Sequence, residues 1–255
     1  MKYDKIFSLK GKVAVVAGSA GLIGREIAEG LAECGADVIA ADIREKKNRK
    51  VKKRISSRYL DITKEESVSS LIDFIDERYG KLDIWVNCAY PRTRDWGNAF
   101  EKVSLNSWRK NVDMHLNGYF ICCKNAAEYM KKRKSGSIIN FGSIYGILGP
   151  QFSVYKGTKM TVAAPYSAIK GGIINFTRYL ASYYGKYNIR VNCVSPGGVY
   201  DKQNKLFIKQ YKDRTPLGRM ADKEDIIGGA LYMASDASKY VTGHNLIIDG
   251  GWSII

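Results

Sequence analysis

The feature that most constrains the fold is an apolar segment, KVAVVAG at residues 12–18, that runs into a glycine-rich turn and a helix. Its β-branched residues are typical of a strand buried on both faces of a parallel sheet. The glycines Gly18, Gly21 and Gly24 follow at a spacing of three, and apolar residues recur at helical spacing through residues 22–34. A strand, a glycine turn and a helix in this order predict the first unit of a doubly wound parallel sheet.

The remaining sequence continues the same alternation, with no linker, repeat or low-complexity break. Six further strands are predicted: residues 37–42, a strand that ends within 58–63, and residues 82–89, 136–143, 189–198 and 245–251. Four further helices are predicted, at residues 65–80, 105–132, 166–184 and 222–235. We therefore expect a single α/β domain over residues 1–255, a Rossmann fold with a doubly wound parallel sheet and helices on both faces.

Composition is typical of a soluble protein, with 45% hydrophobic and 26% charged residues. No apolar run has the length needed to cross a membrane, and the first twelve residues lack the apolar core of a signal peptide. The cysteines have no metal-binding spacing and most lie in or beside apolar runs: Cys34, Cys88, Cys122, Cys123 and Cys193. Buried thiols in a reducing cytoplasm and no metal site are the expected outcome.

The formal net charge of +16 is unusual, and half of it comes from residues 44–58, which hold nine Lys or Arg and one Glu, a net +8. Such a segment can bind nucleic acid, remain a solvated surface, or attract an anionic ligand. Only Ile and Val interrupt the polar residues, so an aromatic platform for single strands is absent. We favour a surface or ligand-steering segment over nucleic-acid binding.

The glycine turn and the end of the second strand together predict a dinucleotide site. Gly18, Gly21 and Gly24 let a pyrophosphate approach the backbone at a helix N-terminus. Asp42 follows Gly18 by 24 residues and can accept hydrogen bonds from both adenosine ribose hydroxyls, while its charge repels a 2′-phosphate. NAD is therefore predicted in preference to NADP, although Arg44 is close enough in sequence to give some tolerance of the phosphate. A turn-capping role for Asp42 is the alternative.

Several motifs together resemble the short-chain dehydrogenase/reductase family in its compact form, and the resemblance extends from Leu9 to Trp252. The motifs are GSAGLIG (18–24), DIT (61–63), NCAY (87–90), Ser143, YSAIKGG (166–172), NIRVNCVSPGG (188–198) and DGGW (249–252). The resemblance implies hydride transfer between a nicotinamide cofactor and an alcohol or ketone. It also implies a homotetramer or homodimer.

The resemblance implies a catalytic role for three of these residues. Tyr166 would exchange a proton with the substrate oxygen, and Ser143 would polarise that oxygen. Lys170 would lower the pKa of Tyr166 together with the oxidised nicotinamide, and would also hold the nicotinamide ribose. The predicted cofactor site then comprises Gly18, Ala20, Gly21, Leu22, Ile23, Gly24, Asp42, Ile43, Asp61, Ile62, Asn87, Ala89, Tyr166, Lys170, Pro196, Gly197 and Val199.

The sequence departs from the family pattern in four places. The glycine turn has the spacing of the extended branch of the family, and Tyr90 replaces a glycine after NCA. His115 stands where the proton-relay asparagine is expected, and we include it among the catalytic candidates; the alternative is a packed core histidine with two hydrogen bonds. Finally, Ser143 and Tyr166 are about ten residues further apart than usual for the family.

The longer spacing matters because the chain has two Tyr–Lys pairs at i, i+4, Tyr155–Lys159 and Tyr166–Lys170. Spacing from Ser143 alone favours Tyr155. However, Pro165 disfavours a helix through Tyr155 and suits the first turn of a helix that carries Tyr166. We therefore assign the catalytic pair to Tyr166 and Lys170, and interpret residues 149–164 as an inserted loop.

The inserted loop is predicted to shape the substrate site, because it leaves the fifth strand after Ser143 and returns before Tyr166. It contains no acidic residue, and its polar residues are Gln151, Ser153, Tyr155, Lys156, Thr158, Lys159 and Thr161. Such a lining suits a polyhydroxylated substrate that bears a carboxylate or phosphate, and by analogy suggests the sugar or surface-glycan branch of the family. We expect Ser143, Tyr155 and Tyr166 to contact substrate. A surface excursion that packs on a neighbouring subunit is the alternative.

The leading hypothesis is thus a cytoplasmic oxidoreductase that transfers a hydride between NAD(H) and a secondary alcohol or ketone, with a small-molecule substrate and no membrane partner. A nucleotide-sugar epimerase or dehydratase shares the glycine spacing and the Tyr–Lys pair, but usually has a separate C-terminal substrate domain. A non-catalytic NAD-sensing protein and a nucleic-acid-binding protein are the alternatives from other classes.

Overall fold

The fold was analysed in a computed structural model that describes residues 4–44 and 54–255. Its described residues form a parallel sheet of seven strands in the order β3-β2-β1-β4-β5-β6-β7. The strands are β1 Val13–Ala17, β2 Asp37–Asp42, β3 Ile55–Tyr59, β4 Ile84–Asn87, β5 Gly136–Phe141, β6 Ile189–Pro196 and β7 Asn245–Ile248. The predicted doubly wound α/β fold is confirmed.

Seven α-helices lie in the described part of the chain and cover both faces of the sheet. They are α1 Leu22–Glu33, α2 Glu65–Tyr79, α3 Leu105–Val112, α4 Gly118–Arg133, α5 Ala164–Tyr184, α6 Lys205–Lys212 and α7 Lys223–Ala234. Alternate side chains of each central strand enter opposite cores: Val13 and Val15 pack with α2, α4 and α5, whereas Ala14 and Val16 pack with α1 and α7. Burial on both faces explains why β1 is a continuous apolar run.

The strand order reverses between β1 and β4, which lie side by side with Ala17 opposite Asn87. In open parallel sheets, this reversal opens a crevice at the carboxyl ends of the strands, where ligands bind. The crevice therefore forms where the glycine turn follows β1 and the NCAY sequence follows β4. Its location is fixed by topology.

Two predicted elements differ from the structure, and one helix of the structure was not predicted. The third strand is Ile55–Tyr59, so Leu60 and Ile62 belong to the following turn, where both are buried in the core. The predicted helix at 105–132 is interrupted by a π-helical turn at Asp113–Asn117 that separates α3 from α4. Helix α6 was not predicted, because eight residues are too few for apolar spacing to indicate a helix.

The basic segment 44–58 lies largely outside the described residues, which omit 45–53. Its predicted role therefore stays a prediction. Within residues 4–44 and 54–255, no helix combines the length and apolar character required to span a membrane.

Candidate active site

The glycine turn after β1 packs directly against the end of β4. Gly18 has φ +88°, and a Cβ atom there would lie 2.4 Å from the backbone nitrogen of Ala89. A Cβ at Gly24 would lie 2.3 Å from the carbonyl oxygen of Gly18. Both positions therefore require glycine, one for its backbone conformation and both for space. The turn brings the N-terminus of α1, which begins after Gly21 and has no side-chain cap among the described residues, to the crevice.

Asp42 lies at the end of β2 and is only 8% exposed. Its Oδ2 accepts a hydrogen bond from the backbone amide of Ala20 at 3.0 Å, which fixes the carboxylate beside the glycine turn. Its Oδ1 accepts from the backbone amide of Arg44 at 2.9 Å and lies 3.4 Å from the Arg44 Nε. Each carboxylate oxygen has two lone pairs, so Oδ2 retains the capacity to accept a ribose hydroxyl, and Oδ1 gains it where the hydroxyl replaces the long contact with the Arg44 side chain. Leu22 and Ile43 are exposed on either side of this turn.

Asp61 and Asn87, which were also predicted to line the cofactor, both shape turns at the edge of the sheet. The Asp61 Oδ1 accepts hydrogen bonds from the amide and hydroxyl of Thr63, at 3.0 and 2.7 Å, and thereby shapes the turn before α2. The Asn87 side chain is fully buried, where its Nδ2 donates to Asn140 Oδ1 at 2.9 Å. Asn87 can therefore offer a ligand only its backbone, while its side chain holds β4 to β5. The Tyr119 hydroxyl supports the same turn by donating to the carbonyl oxygen of Asn87 at 2.9 Å.

The predicted nicotinamide end follows β6. The backbone amide of Gly197 donates to Ile248 O at 2.9 Å, which joins this turn to β7. The amide of Gly198 donates to the hydroxyl of Tyr211 at 2.5 Å, which joins the turn to α6. Val199 then pairs with Ala221 in an isolated bridge. The segment from Pro196 to Val199 is thus held from three directions at the carboxyl edge of the sheet.

Ser143 and Tyr166 come together across this edge. Ser143 caps a short 3₁₀ turn, and a Cβ atom at Gly146 in that turn would lie 2.7 Å from the carbonyl carbon of Lys170. The turn therefore packs directly against α5. Burial raises the pKa of Tyr166, while a hydrogen bond with the Ser143 side chain opposes the rise. The structure brings together the two side chains that were predicted to hold the reacting oxygen.

Lys170 lies one helical turn beyond Tyr166 and is buried. Its Nζ donates to the carbonyl oxygen of Phe141 at 2.7 Å and lies 5.8 Å from the centre of the Tyr166 ring. Nζ also faces the rings of Tyr90 and Tyr119, at 6.0 and 5.6 Å from their centres. Burial lowers the pKa of Lys170 to about 8, although Cys88 and Cys193 oppose the fall. The ammonium group thus lies in an aromatic surrounding beside the predicted acid/base.

His115 lies in the π-helical turn and is completely buried. Its Nε2 is 3.5 Å from Lys170 Nζ, and its Nδ1 has no hydrogen-bond partner among the described residues. The alternative of a packed histidine with two hydrogen bonds is met at one ring nitrogen only, and the relay role stays a prediction. Burial, and then the charge of Lys170, lower the pKa of His115 well below its ordinary value. A π-helical turn of this kind is often found at functional sites.

The second Tyr–Lys pair does not share a helix face. Tyr155 ends a 3₁₀ turn at Phe152–Tyr155, whereas Lys159 follows an irregular stretch and is exposed. The Tyr155 hydroxyl lies 3.4 Å from the Tyr145 hydroxyl, and its ring packs on Phe207 at 5.2 Å between centres. Helix α5 begins at Ala164, two residues before the predicted start, because Pro165 fits a first-turn position where no amide is needed.

Comparison with known proteins agrees with this geometry. A family model described as enoyl-(acyl carrier protein) reductase matches residues 17–253. The chain belongs to the short-chain dehydrogenase/reductase family. Post-translational flagellin modification protein A of Campylobacter coli is 35% identical over 255 residues, which cover 96% of this chain and all of that relative.

Two solved structures of the family bear on the cofactor. A short-chain dehydrogenase from Leptospira borgpetersenii with bound NAD⁺ is 34% identical, with a TM-score of 0.88 over 96% of this chain and 93% of that one. A gluconate 5-dehydrogenase from Burkholderia cenocepacia, in complex with NADP and tartrate, is 27% identical, with a TM-score of 0.88 over 99% of both chains. The present chain is accordingly an oxidoreductase of the short-chain family with a nicotinamide dinucleotide as cofactor.

The residues present fit this cofactor. The glycine turn leaves backbone surface where any side chain would collide, and the carboxylate of Asp42 lies beside it. Lys170 supplies a buried cation at the opposite end of the crevice. Among the described residues, no three His, Cys, Asp or Glu side chains are grouped so that they could hold a metal ion.

Sequence reasoning missed two parts of this short-chain dehydrogenase/reductase site. Tyr90 and Trp96 contact Tyr166 edge-on, at 5.7 and 6.2 Å between ring centres. Helix α6 joins the turn after β6 to the inserted loop. The hydroxyl of Tyr211 accepts from the Gly198 amide in that turn, and the Nε2 of Gln210 donates to Lys156 O in the loop at 3.0 Å. The replacement of the family's glycine by Tyr90 was the available signal for the aromatic contacts with Tyr166. No sequence pattern indicated the contacts of α6.

Proposed function

We propose that this protein transfers a hydride between NAD(H) and a secondary alcohol or ketone, and that its substrate is a polar, sugar-like or polyol molecule. The observation that supports this most is the position of Tyr166, whose ring centre lies 5.8 Å from the buried cation of Lys170, on a helix that packs against the turn capped by Ser143. A substrate oxygen that contacts both hydroxyl groups is in position to exchange a proton with Tyr166. When bound, the nicotinamide cofactor accepts or supplies the hydride.

Each side chain has a separate part in the proposed reaction. Ser143 donates a hydrogen bond to the reacting oxygen and orients it. Tyr166 takes the proton of an alcohol or returns it to a ketone. A tyrosine has an ordinary pKa of about 10, and burial raises it further here, so the phenolate must be favoured by a nearby positive charge. Lys170 supplies that charge, which favours the phenolate most while the ammonium is protonated.

NAD is the proposed cofactor, in preference to NADP. The Asp42 carboxylate is buried and is held beside the glycine turn by the Ala20 amide. A 2′-phosphate would meet this charge, although Arg44 is adjacent and offers a compensating cation. Short-chain enzymes of known structure contain either dinucleotide, so the preference rests on Asp42 itself.

The inserted loop, residues 149–164, is the proposed substrate-side element of a single domain spanning residues 1–255. Tyr155 of the loop packs in one apolar cluster with Tyr145, Tyr166 and α6, which brings the loop to the edge of the reaction site. The similar gluconate 5-dehydrogenase and the relative named for flagellin modification support assignment to the sugar or surface-glycan branch. We propose that Tyr155, with Ser143 and Tyr166, contacts the substrate.

A homodimer or homotetramer is also proposed. Helix α5 presents a row of stacked rings. Phe176 stacks on Tyr179 with 6.4 Å between ring centres, and Tyr179 stacks on Tyr183 with 6.1 Å between ring centres. Tyr179 is 63% exposed, which is unusual for a ring in an ordered stack. A cytoplasmic location is supported by the five cysteines, which are all unpaired. Light scattering would reveal the mass in solution, and a monomer would refute the oligomer.

The test of the reaction is an assay of NADH formation with a panel of polyols, sugar acids and secondary alcohols, and of NADH consumption with keto-sugars and cyclic ketones. Turnover of at least one panel member, lost in Tyr166→Phe, supports an enzyme rather than an NAD-sensing or nucleic-acid-binding protein. Tight NADH binding with no turnover of any panel member would contradict the proposal. Turnover confined to apolar alcohols would contradict only the substrate class.

A further inference from the structure

The segment after β4, residues 90–96, presents two different faces. Thr93 and Asp95 turn toward helix α3, whereas Tyr90, Arg92 and Arg94 are exposed. Residues 94–97 form a turn, and the contacts of the segment separate its side chains into two groups. Thr93 and Asp95 anchor the segment on α3, whereas Tyr90 and Trp96 contact Tyr166.

The anchoring side is a network of hydrogen bonds. The backbone amide of Thr93 donates to Asn111 Oδ1 at 3.0 Å, and Asn111 Nδ2 donates back to Thr93 Oγ1 at 2.8 Å. The Ser107 hydroxyl donates to Asp95 Oδ1 at 2.9 Å, and the side chains of Thr93 and then Ser107 lower the pKa of Asp95. Asn111 and Ser107 are buried, so the network fixes the segment on α3 rather than leaving it free in solvent.

The other side builds an aromatic support next to the predicted acid/base. Tyr90 packs edge-on against Tyr166 at 5.7 Å and against Trp96 at 5.6 Å between ring centres. The guanidinium carbon of Arg92 lies 5.2 Å from the centre of the Tyr90 ring. The Arg92 cation is thus placed at the Tyr90 ring, and Trp96 packs edge-on against the same ring.

Among the described residues, no carboxylate forms an ion pair with Arg92. The nearest carboxylate in sequence, Asp95, is engaged by Ser107 on the opposite side of the segment. A guanidinium has five donors arranged as a planar fork, and its contact with the Tyr90 ring leaves these donors available. Carboxylate and phosphate groups are the ligands that match such a fork.

We propose that Arg92 binds an oxyanion, a carboxylate or phosphate, carried by the substrate, and that Tyr90 and Trp96 hold Arg92 for this contact. The proposal deepens the proposed function and depends on it, since it assigns an anionic group to the polar substrate. It assigns the specificity for that group to the segment after β4, and not to Lys156 and Lys159 of the inserted loop. Both of those lysines are exposed.

The experiment compares ligands that share a carbon skeleton and differ in charge: glucitol, gluconate and glucitol 6-phosphate. Binding to the NADH complex is measured by calorimetry, and kcat and KM are measured for each ligand that is turned over. The variants are Arg92→Gln, Arg92→Lys and, as the matched control, Arg94→Gln, which removes an exposed arginine two residues along the same segment. Lys156→Gln tests the loop.

The expected result is that wild type binds one or both anionic ligands more tightly than glucitol, and that Arg92→Gln removes this advantage by about tenfold or more. The change lies in Kd and KM rather than kcat, and Arg92→Lys restores part of it. Arg94→Gln and Lys156→Gln behave as wild type, and glucitol is unaffected by any variant. Preference for gluconate identifies a carboxylate, and preference for glucitol 6-phosphate identifies a phosphate.

Three outcomes would overturn the inference. If wild type binds glucitol as tightly as both anions, it has no oxyanion site. Turnover of glucitol in the same experiment would still support the proposed function. Loss of anion binding in Lys156→Gln but not in Arg92→Gln would assign the group to the loop. An equal loss for glucitol and the anions in Arg92→Gln would show a merely structural role. NADH binding is measured for every variant as well. If it is unchanged, none of these three outcomes can be attributed to damage at the cofactor site.

Discussion

The Nε2 atom of His115 lies 3.5 Å from the Nζ atom of Lys170, and both side chains are buried. A lysine ammonium is only a donor, so Nε2 must be the acceptor and the imidazole proton must lie on Nδ1. Nδ1 is the ring atom that has no partner in the described residues. A buried donor without an acceptor is costly, and its natural partner is a water or ligand atom that enters the site.

His115→Asn is expected to retain activity within about tenfold, because an asparagine can also accept from Lys170 and donate from its amide. An ordinary histidine titrates near 6.5, but burial and Lys170 lower the pKa of His115 well below that value. Replacement should therefore leave the pH–rate profile unchanged in the ordinary histidine range and alter it only at more acidic pH. A profile of kcat/KM from pH 5 to 10 checks this, and a folded but inactive variant would assign His115 an essential role.

Asp42→Ala is expected to lower the preference for NAD over NADP by about tenfold, because two charges forced together cost roughly 1 kcal/mol or more. The substitution also removes the acceptor of the Ala20 amide, which loosens the glycine turn and weakens both cofactors. The ratio of the two dissociation constants is therefore the measurement. In the Asp42→Ala background, Arg44→Gln should weaken NADP more than NAD. Wild type that binds NADP more tightly than NAD would refute the assignment.

The sheet and the position of the crevice could be predicted from sequence, because continuous apolar runs, glycine turns and helical periodicity are local properties of the chain. The choice of helix for Tyr166 could also be made, since Pro165 acts on its immediate neighbours. The aromatic support around Lys170 could not, because Tyr90, His115 and Tyr119 come from separate segments and meet only after folding. Nor could α6, whose place depends on Tyr211 and Phe207 packing on the inserted loop.

Lys170→Met is expected to change the pH dependence of stability in a defined direction. Burial lowers the pKa of Lys170 in the folded protein to about 8 from an ordinary 10.5, so the folded state releases the proton first. The cost of burying the charge is fully present below about pH 8, and it is relieved as pH rises toward about 10.5, where the unfolded chain also loses its proton.

The variant lacks this titration. The free energy of unfolding of the variant minus that of wild type should therefore be greatest near pH 7. This difference should fall by up to about 3 kcal/mol by pH 10.5. The lost hydrogen bond to Phe141 O adds a cost that does not vary over this range. Urea unfolding at several pH values measures the difference, with Lys159→Met as an exposed control that should show no trend. A flat difference would mean that Lys170 is not desolvated as the structure indicates.

Tyr166→Phe is expected to reduce hydride transfer by about a thousandfold or more, since a positioned acid/base contributes in this range. Phenylalanine keeps the ring contacts with Tyr90 and Trp96 and removes only the hydroxyl that meets Ser143. Cofactor binding should therefore be retained, which a titration of NADH fluorescence can establish. The measurement is single-turnover hydride transfer with any substrate that the panel identifies.

Tyr155→Phe is the matched control from the other Tyr–Lys pair. Its hydroxyl contacts Tyr145, burial raises the pKa of the phenol far above its ordinary value, and Lys159 is too far along an irregular segment to favour a phenolate by helical spacing. The rate of hydride transfer should fall by no more than about tenfold, with the larger change in KM, because the residue shapes the substrate side and moves no proton. A loss of several orders of magnitude in Tyr155→Phe, with Tyr166→Phe near wild type, would transfer the acid/base role to the inserted loop. It would also mean that Tyr166 and Lys170 of α5 serve only to position the cofactor.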